Sequence, residues 1–290
     1  MNLKYMKYKI YNIQEEDEEV MDSSDCSNLI LLSGRRLVEN PESSENYTNV
    51  ENKIKWDPRK MAAVICDMWD KHWCKSATAR VAEMAPHMNE LIKVLRKKGV
   101  TIIHAPSDTM SFYKDYPGRK LAQAAPSIET AIPLQKWVYF DASMEGALPF
   151  GDAQDKCDCE PPCVAGTVWT RQIDTLEIIE GDLIIDNKEA FYYMRQHDIE
   201  NVIIMGVHTN VCVLGRPFGI RQLVNQGFNV VLVRDLTDTM NDRLSGSYTD
   251  HFAGTELIVQ HIEKYWCPTI TSDQIIGGEP FRFKGDTTNR

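Results

Sequence analysis

The chain has 290 residues, 43% of them hydrophobic and 26% charged, a globular composition that excludes a disordered or fibrous polymer. That length suits one large α/β domain or two small ones. Net charge is −10, and residues 1–51 carry −6 of it; the nearly balanced remainder lacks the basic face that nucleic acid demands.

Residues 1–13 alternate lysines with tyrosines and build no signal-type apolar segment. No run approaches the roughly 18 apolar residues of a membrane helix. A soluble, cytoplasmic protein is therefore expected. Residues 1–55 read as an acidic arm, partly ordered, with Glu15, Glu16, Asp17, Glu18 and Glu19 in succession.

The body, residues 56–290, starts at Trp56-Asp57-Pro58. Met61–Cys66 is an apolar run of strand length. Over 79–98, Val81, Met84, Met88, Leu91, Ile92 and Leu95 recur at spacings of three and four, which predicts a helix, and Gly99 supplies its stop. Residues 100–104 predict a second strand. Residues 105–182 break this rhythm with prolines, three cysteines and an acidic run from Asp141 to Glu160. They read as an insertion forming a lid, an oligomer contact or a substrate wall. Strands at 201–206 and 229–233 then alternate with helices at 211–226 and 249–265. Apolar strands alternating with helices predict a three-layer α/β/α, Rossmann-like fold with a mostly parallel sheet of about six strands. Ligands in such sheets bind at the carboxyl ends of the strands.

Two strand ends carry chemistry. Asp67 follows the 61–66 strand, where partial desolvation raises a carboxyl pKa towards that of a useful base; the alternative is a turn cap. Cys212 follows the 201–206 strand and opens a helix. The helix dipole and free amides there favour a thiolate and can hold an oxyanion; the alternative is a buried structural cysteine.

Together, the strand ending in Asp67 and the G-V-H-T-N-V-C-V run over 206–213 resemble the isochorismatase-like cysteine hydrolases, which include nicotinamidases, carbamoylsarcosine amidases and related amidases. The likeness spans about 56–267, and 105–182 aligns poorly. W-D-K-H-W-C and H-T-N-V-C-V-L-G-R-P-F-G-I-R resemble a subgroup known only as hydrolases. The resemblance implies an Asp–Lys–Cys triad, with Asp67 as the acid and Cys212 as the nucleophile. Lys188 is the nearest lysine, although alignment without gaps puts Asp186 or Asn187 at its position; Lys136 and Arg171 are substitutes. It further implies a cis Val207–His208 peptide, with the amides of His208 and Cys212 as an oxyanion hole. The implied activity is cleavage of a small-molecule amide or related C–N bond through a thioester. A vinyl ether hydrolase without a thiol nucleophile, and a catalytically silent scaffold, are the alternatives.

Nicotinamidases also bind zinc through an aspartate and two histidines. Here the D-x-H pair is missing, and no cofactor is expected to be required, although Asp70, His72, His104 and Asp108 offer ligand types for a divalent ion. Trp69, His72 and His104 read as pocket walls, with Trp73 and Phe112 as further aromatic candidates. Arg216 and Arg221, beyond Cys212, suit a substrate carboxylate, an oligomer contact or an acidic lid. Arg234 to Asp238 read as a turn. Cys157, Cys159 and Cys163 form C-x-C-x3-C, which is not a C-x2-C zinc pair and favours a local disulfide or free thiols. The 141–163 stretch has six acids against Lys156, so basic groups of a second copy, in a homodimer or homotetramer, are expected to meet it.

Overall fold

The structure, a computed structural model, describes residues 28–42, 46–150, 156–241 and 250–288. Two antiparallel strands, β1 (Ile30–Glu39) and β2 (Tyr47–Trp56), come first. They are followed by β3 (Met61–Cys66), the long helix α1 (Lys75–Lys97) and β4 (Thr101–Ala105). The insertion holds the short helices α2 (Met110–Tyr113), α3 (Pro117–Ala124) and α4 (Ala142–Glu145). Next come β5 (Leu183–Ile184), α5 (Glu189–Gln196), β6 (Asn201–Val207), α6 (Cys212–Gly215) and α7 (Ile220–Asn225). The chain ends with β7 (Asn229–Asp238), α8 (His251–Tyr265), β8 (Thr269–Ile270) and α9 (Asp273–Ile276).

One sheet of eight strands runs in the order β2-β1-β8-β7-β6-β3-β4-β5. β3 to β8 are the parallel strands, and β1 and β2 add an antiparallel edge. The sheet therefore exceeds the expected six strands by a hairpin drawn from the region read as an acidic arm. Only Ile54 is buried in β2, so this edge strand carries no apolar signature. The Glu15–Glu19 run lies outside the described residues.

Side chains of β3 alternate between two cores, as a sheet covered on both faces requires. Ala62, Val64 and Cys66 pack with α6, α7 and α8 residues such as Leu214, Leu223 and Ile258. Met61, Ala63 and Ile65 pack with α1, whose Val81, Met84, Met88, Leu91, Ile92 and Leu95 are all buried. Burying each large apolar side chain stabilises the fold by about 1.5–3 kcal/mol. The left-handed φ of 93° at Gly99 ends α1. Gly206 permits a closer approach: a Cβ there would lie 2.1 Å from the Cys66 carbonyl oxygen, so β6 can pass β3 only without a side chain.

Two predicted elements differ. The 211–226 helix is divided at Pro217, because proline interrupts the hydrogen-bond ladder. Residues 234–238, read as a turn, extend β7 past an irregularity in its pairing with β6. Asp235 there accepts from the Ser272 amide at 2.9 Å and hydroxyl at 2.5 Å, tying β7 to α9. No helix among the described residues is long and apolar enough to cross a membrane.

Candidate active site

β3 delivers Asp67 to the crevice. Asp67 has a left-handed φ of 48°, a conformation that short polar side chains tolerate better than most. Its amide donates to the Ala105 carbonyl at 3.0 Å, and its Oδ1 accepts from the Ser107 amide at 2.8 Å. The exit of β4 thus fixes one carboxylate oxygen. Oδ2 is buried with no hydrogen-bond partner and lies 3.4 Å from Arg216 Nε.

The neighbouring strand β6 ends in a cis Val207–His208 peptide, as the resemblance implied. The chain then folds back on itself. The His208 carbonyl accepts from the Val211 and Val213 amides, and the Asp238 carbonyl holds the Thr209 amide at 2.8 Å. Cys212 begins α6 immediately afterwards, buried, with its thiol close enough to Asp67 and Arg216 to feel the charge of both. Arg216 stands one turn on, where its amide donates to the Cys212 carbonyl at 3.0 Å. An acid, a thiol and a guanidinium therefore meet from two elements.

Burial, followed by the charge of Asp67, pushes the Cys212 thiol well above its ordinary range; Arg216 pulls the other way and loses. The resting sulfur is thus a neutral thiol. Burial opposes the Arg216 charge as well, but Asp67, Cys212 and Asp108 more than offset it. Arg216 also reaches Asp108 Oδ2 at 3.1 Å. Asp186 completes the surround: burial, against the pull of Arg216, raises its carboxyl to about 6, and its Oδ2 accepts from the Asp108 amide at 3.3 Å.

An aromatic wall closes one side. Trp69 stacks on Trp169 with centroids 4.4 Å apart, and Trp169 stacks on His72 at 5.5 Å. His72 meets Trp73 at 5.1 Å and the edge of His208 at 5.0 Å. Burial lowers His72 to about 4 and His208 to about 3, so both rings are neutral at physiological pH. Trp169 lies in the insertion, and its buried Nε1 has no partner. Trp137, also from the insertion, lies under Arg216 at 5.6 Å.

The isochorismatase domain matches residues 61–261, most of the chain, including every residue of the Asp67–Cys212–Arg216 cluster. The chain belongs to the isochorismatase family. It is a hydrolase of that superfamily. A cysteine hydrolase from Pseudomonas syringae pv. phaseolicola 1448A is similar in fold at 16% identity, with a TM-score of 0.48 over 77% of this chain and 94% of that one. An isochorismatase from Pseudomonas putida KT2440 is similar at 14% identity, with a TM-score of 0.45 over 76% and 92%. An isochorismatase family protein from Burkholderia thailandensis follows at 13% identity, with a TM-score of 0.43 over 75% and 94%. No curated protein matches the chain at a significant level.

Within this isochorismatase-family site, the cation is not where the lysine was sought. Lys188 caps α5, half-buried, and the charge against Asp67 and Cys212 comes from Arg216. Lys136 is exposed, and Arg171 pairs with Asp174 at 2.8 Å. Asp186, at the ungapped position of the lysine, does face the cluster, where it feels the charges of Arg216, Asp108 and Asp67. Arg216, read as a substrate-carboxylate ligand, is instead occupied by Asp67 and Asp108.

His104, expected on the pocket wall, is fully buried on β4. Its Nδ1 lies 3.0 Å from Gln172 Oε1 and its Nε2 3.3 Å from Asp182 Oδ2, so both nitrogens are committed to packing the insertion. Asp70 accepts from the Thr170 amide at 2.9 Å and hydroxyl at 2.6 Å. Asp70, His72, His104 and Asp108 therefore do not gather as a metal site; among the described residues, the group with metal-ligand spacing is Cys74, Cys157, Asp158 and Cys159. Phe112 packs against Tyr113 and is 45% exposed, away from the expected pocket role. Arg221 is buried against Glu145, with Nε to Oε1 at 2.8 Å, and Asp158 meets Arg80 at 2.8 Å. Glu145 and Asp158 thus each have a basic partner within the chain.

Proposed function

We propose that this hydrolase cleaves a small-molecule amide or related C–N bond through a thioester on Cys212, without a required cofactor. The observation that carries the reading is the buried Cys212 thiol beside the Asp67–Arg216 ion pair, whose two charges it feels. Because the thiol rests neutral, its proton leaves as sulfur attacks the substrate carbonyl carbon. Asp67 Oδ2, which accepts no hydrogen bond, takes that proton. Arg216 stabilises the sulfur anion in place of a lysine. The carbonyl oxygen becomes an oxyanion held by the backbone amides of His208 and Cys212. Collapse breaks the C–N bond, and protonated Asp67 returns its proton to the departing amine. Water then adds to the thioester, Asp67 accepts its proton, and the Cys212 thiol is regenerated as the acid leaves.

Charge and shape support a neutral substrate with a flat apolar part. Asp67 and Asp108 occupy Arg216, so an incoming carboxylate finds no unpaired guanidinium and meets acidic neighbours. The stack of Trp69, Trp169 and neutral His72 offers a face for an aromatic or planar amide.

The test is incubation of the full chain with a panel of neutral aryl and alkyl amides. Acid release would be followed, and Cys212 peptides examined by mass spectrometry after acid quench. Turnover with an acyl adduct on Cys212, both abolished by Cys212→Ala, is expected. Turnover that survives Cys212→Ala would replace this reading with a vinyl-ether-type hydrolysis, and no turnover of any amide would remove it.

A further inference from the structure

Cysteine sulfurs converge where the 156–163 segment meets the start of α1, outside the cluster of Asp67 and Cys212. Cys157 Sγ lies 3.4 Å from Cys74 Sγ, and Cys159 Sγ lies 3.8 Å from the same atom. Cys163 lies beside them, with its amide 3.5 Å from Cys157 Sγ. A tetrahedral centre with metal–sulfur bonds of about 2.3 Å has sulfur–sulfur edges of about 3.8 Å. The Cys74–Cys157 and Cys74–Cys159 separations approach those edges, and all four cysteines are free thiols.

Backbone donors surround the same sulfurs. The Ser76 amide donates to Cys159 Sγ at 3.4 Å, and the Ser76 hydroxyl lies 2.9 Å from it. The Lys75 amide faces Cys163 and the Ala77 amide faces Cys74. The Cys163 amide donates to Cys157 Sγ at 3.5 Å. The first turn of a 23-residue helix thus directs its unpaired N–H groups at sulfur.

Neither a disulfide nor an aspartate ligand accounts for the whole cluster. A disulfide has a sulfur–sulfur bond of about 2.05 Å and engages two thiols, which leaves the other two and their amide donors without a role. Asp158 is within reach, with Oδ1 3.6 Å from Cys74 Sγ, but its Oδ2 is held by Arg80 at 2.8 Å and faces His251 Nδ1 at 3.4 Å. Soft thiolates in a tetrahedral set suit zinc.

We propose that Cys74, Cys157, Cys159 and Cys163 bind one zinc-type divalent ion as a structural four-thiolate centre. Loading releases the four thiol protons to solvent as four sulfur–metal bonds form. The centre joins the insertion to α1. It also braces the aromatic wall one step away, because the Cys74 amide donates to His72 Nδ1 at 3.1 Å. The proposal stands apart from the amide-hydrolase reading, since neither Asp67 nor Cys212 enters it.

The experiment uses the full chain purified with a reductant. Elemental analysis is expected to give one zinc per chain. After chelation and reloading with Co(II), the absorption should show tetrahedral ligand-field bands and intense sulfur-to-cobalt charge transfer. Asp158→Asn should keep that spectrum, whereas Cys163→Ser should weaken Co(II) binding at least tenfold and shift the charge-transfer band. Far-UV circular dichroism would verify folding of each variant; if Cys163→Ser does not fold, chelation and reloading of the wild type still decide the point. Absence of stoichiometric Co(II) binding by folded wild type overturns the proposal. So does an octahedral, oxygen-ligated spectrum, an unchanged spectrum in folded Cys163→Ser, or a Cys74–Cys157 disulfide in the reduced preparation.

Discussion

Asp67 Oδ2 and Arg216 Nε face each other at 3.4 Å, both buried and neither hydrogen-bonded to a neighbour. The Cys212 thiol feels the charge of both. A carboxylate and a guanidinium held this way oppose each other's effect on the sulfur, so removing either one has an effect of known sign.

For Asp67→Asn, the expected outcomes diverge. Burial is the largest cause of the raised Cys212 pKa and Asp67 the next, so removing that charge lowers it. Alkylation of Cys212 by iodoacetamide at neutral pH should therefore become faster than in the wild type. Amide turnover should fall by about 10²–10⁴-fold, the usual loss on removing a positioned proton carrier. Peptide mass spectrometry of labelled protein measures the first effect; slower labelling would mean that the carboxylate does not face the thiol.

Arg216→Gln should lower kcat/KM by about 10²–10³-fold, the scale of one lost electrostatic partner of the transition state. It should also slow Cys212 alkylation, because the one pull towards a thiolate is gone. Lys188→Ala should leave both measurements close to wild type. The reverse ranking would return the cationic role to the lysine.

Trp169→Ala should raise KM for aryl amides far more than it lowers kcat, since the indole forms the wall and touches no reacting atom. Alkyl amides should respond less. Steady-state kinetics on matched aryl and alkyl substrates separates these outcomes.

The insertion is anchored by Glu145, which Arg221, His261 and Trp266 all contact within 3.0 Å. Arg221→Met should destabilise the protein by about 3–5 kcal/mol because it strands a buried carboxylate, and the Glu145→Gln, Arg221→Met double variant should recover part of that loss. Burial pushes the Glu145 carboxyl up, but the His261 and Arg221 bonds outweigh it and hold the folded pKa below its ordinary value. Its contribution to stability is therefore present above the unfolded pKa of about 4.3 and lost as pH falls through the folded one. Urea midpoints should decline below about pH 4, and less steeply in Glu145→Gln.

Short-range pattern was enough to place Asp67 and Cys212. Met61–Cys66 and the 201–206 run are continuous apolar strands, and such strands lie in a parallel sheet whose carboxyl ends form the crevice. The helical spacing of Val81 to Leu95 was equally direct, because one buried face repeats every turn. The β1–β2 hairpin left little trace, since an edge strand exposes most of its side chains, and β5 and β8 are only two residues long. Arg216 was visible four residues after Cys212, but only packing decided that its charge meets Asp67 and not a substrate. Trp169, 100 positions after Trp69, and Cys74, 83 before Cys157, entered their clusters through contacts between the insertion and the body. Periodicity reports what a residue's own element buries; the partner brought to it across the fold is fixed only when the whole chain has packed.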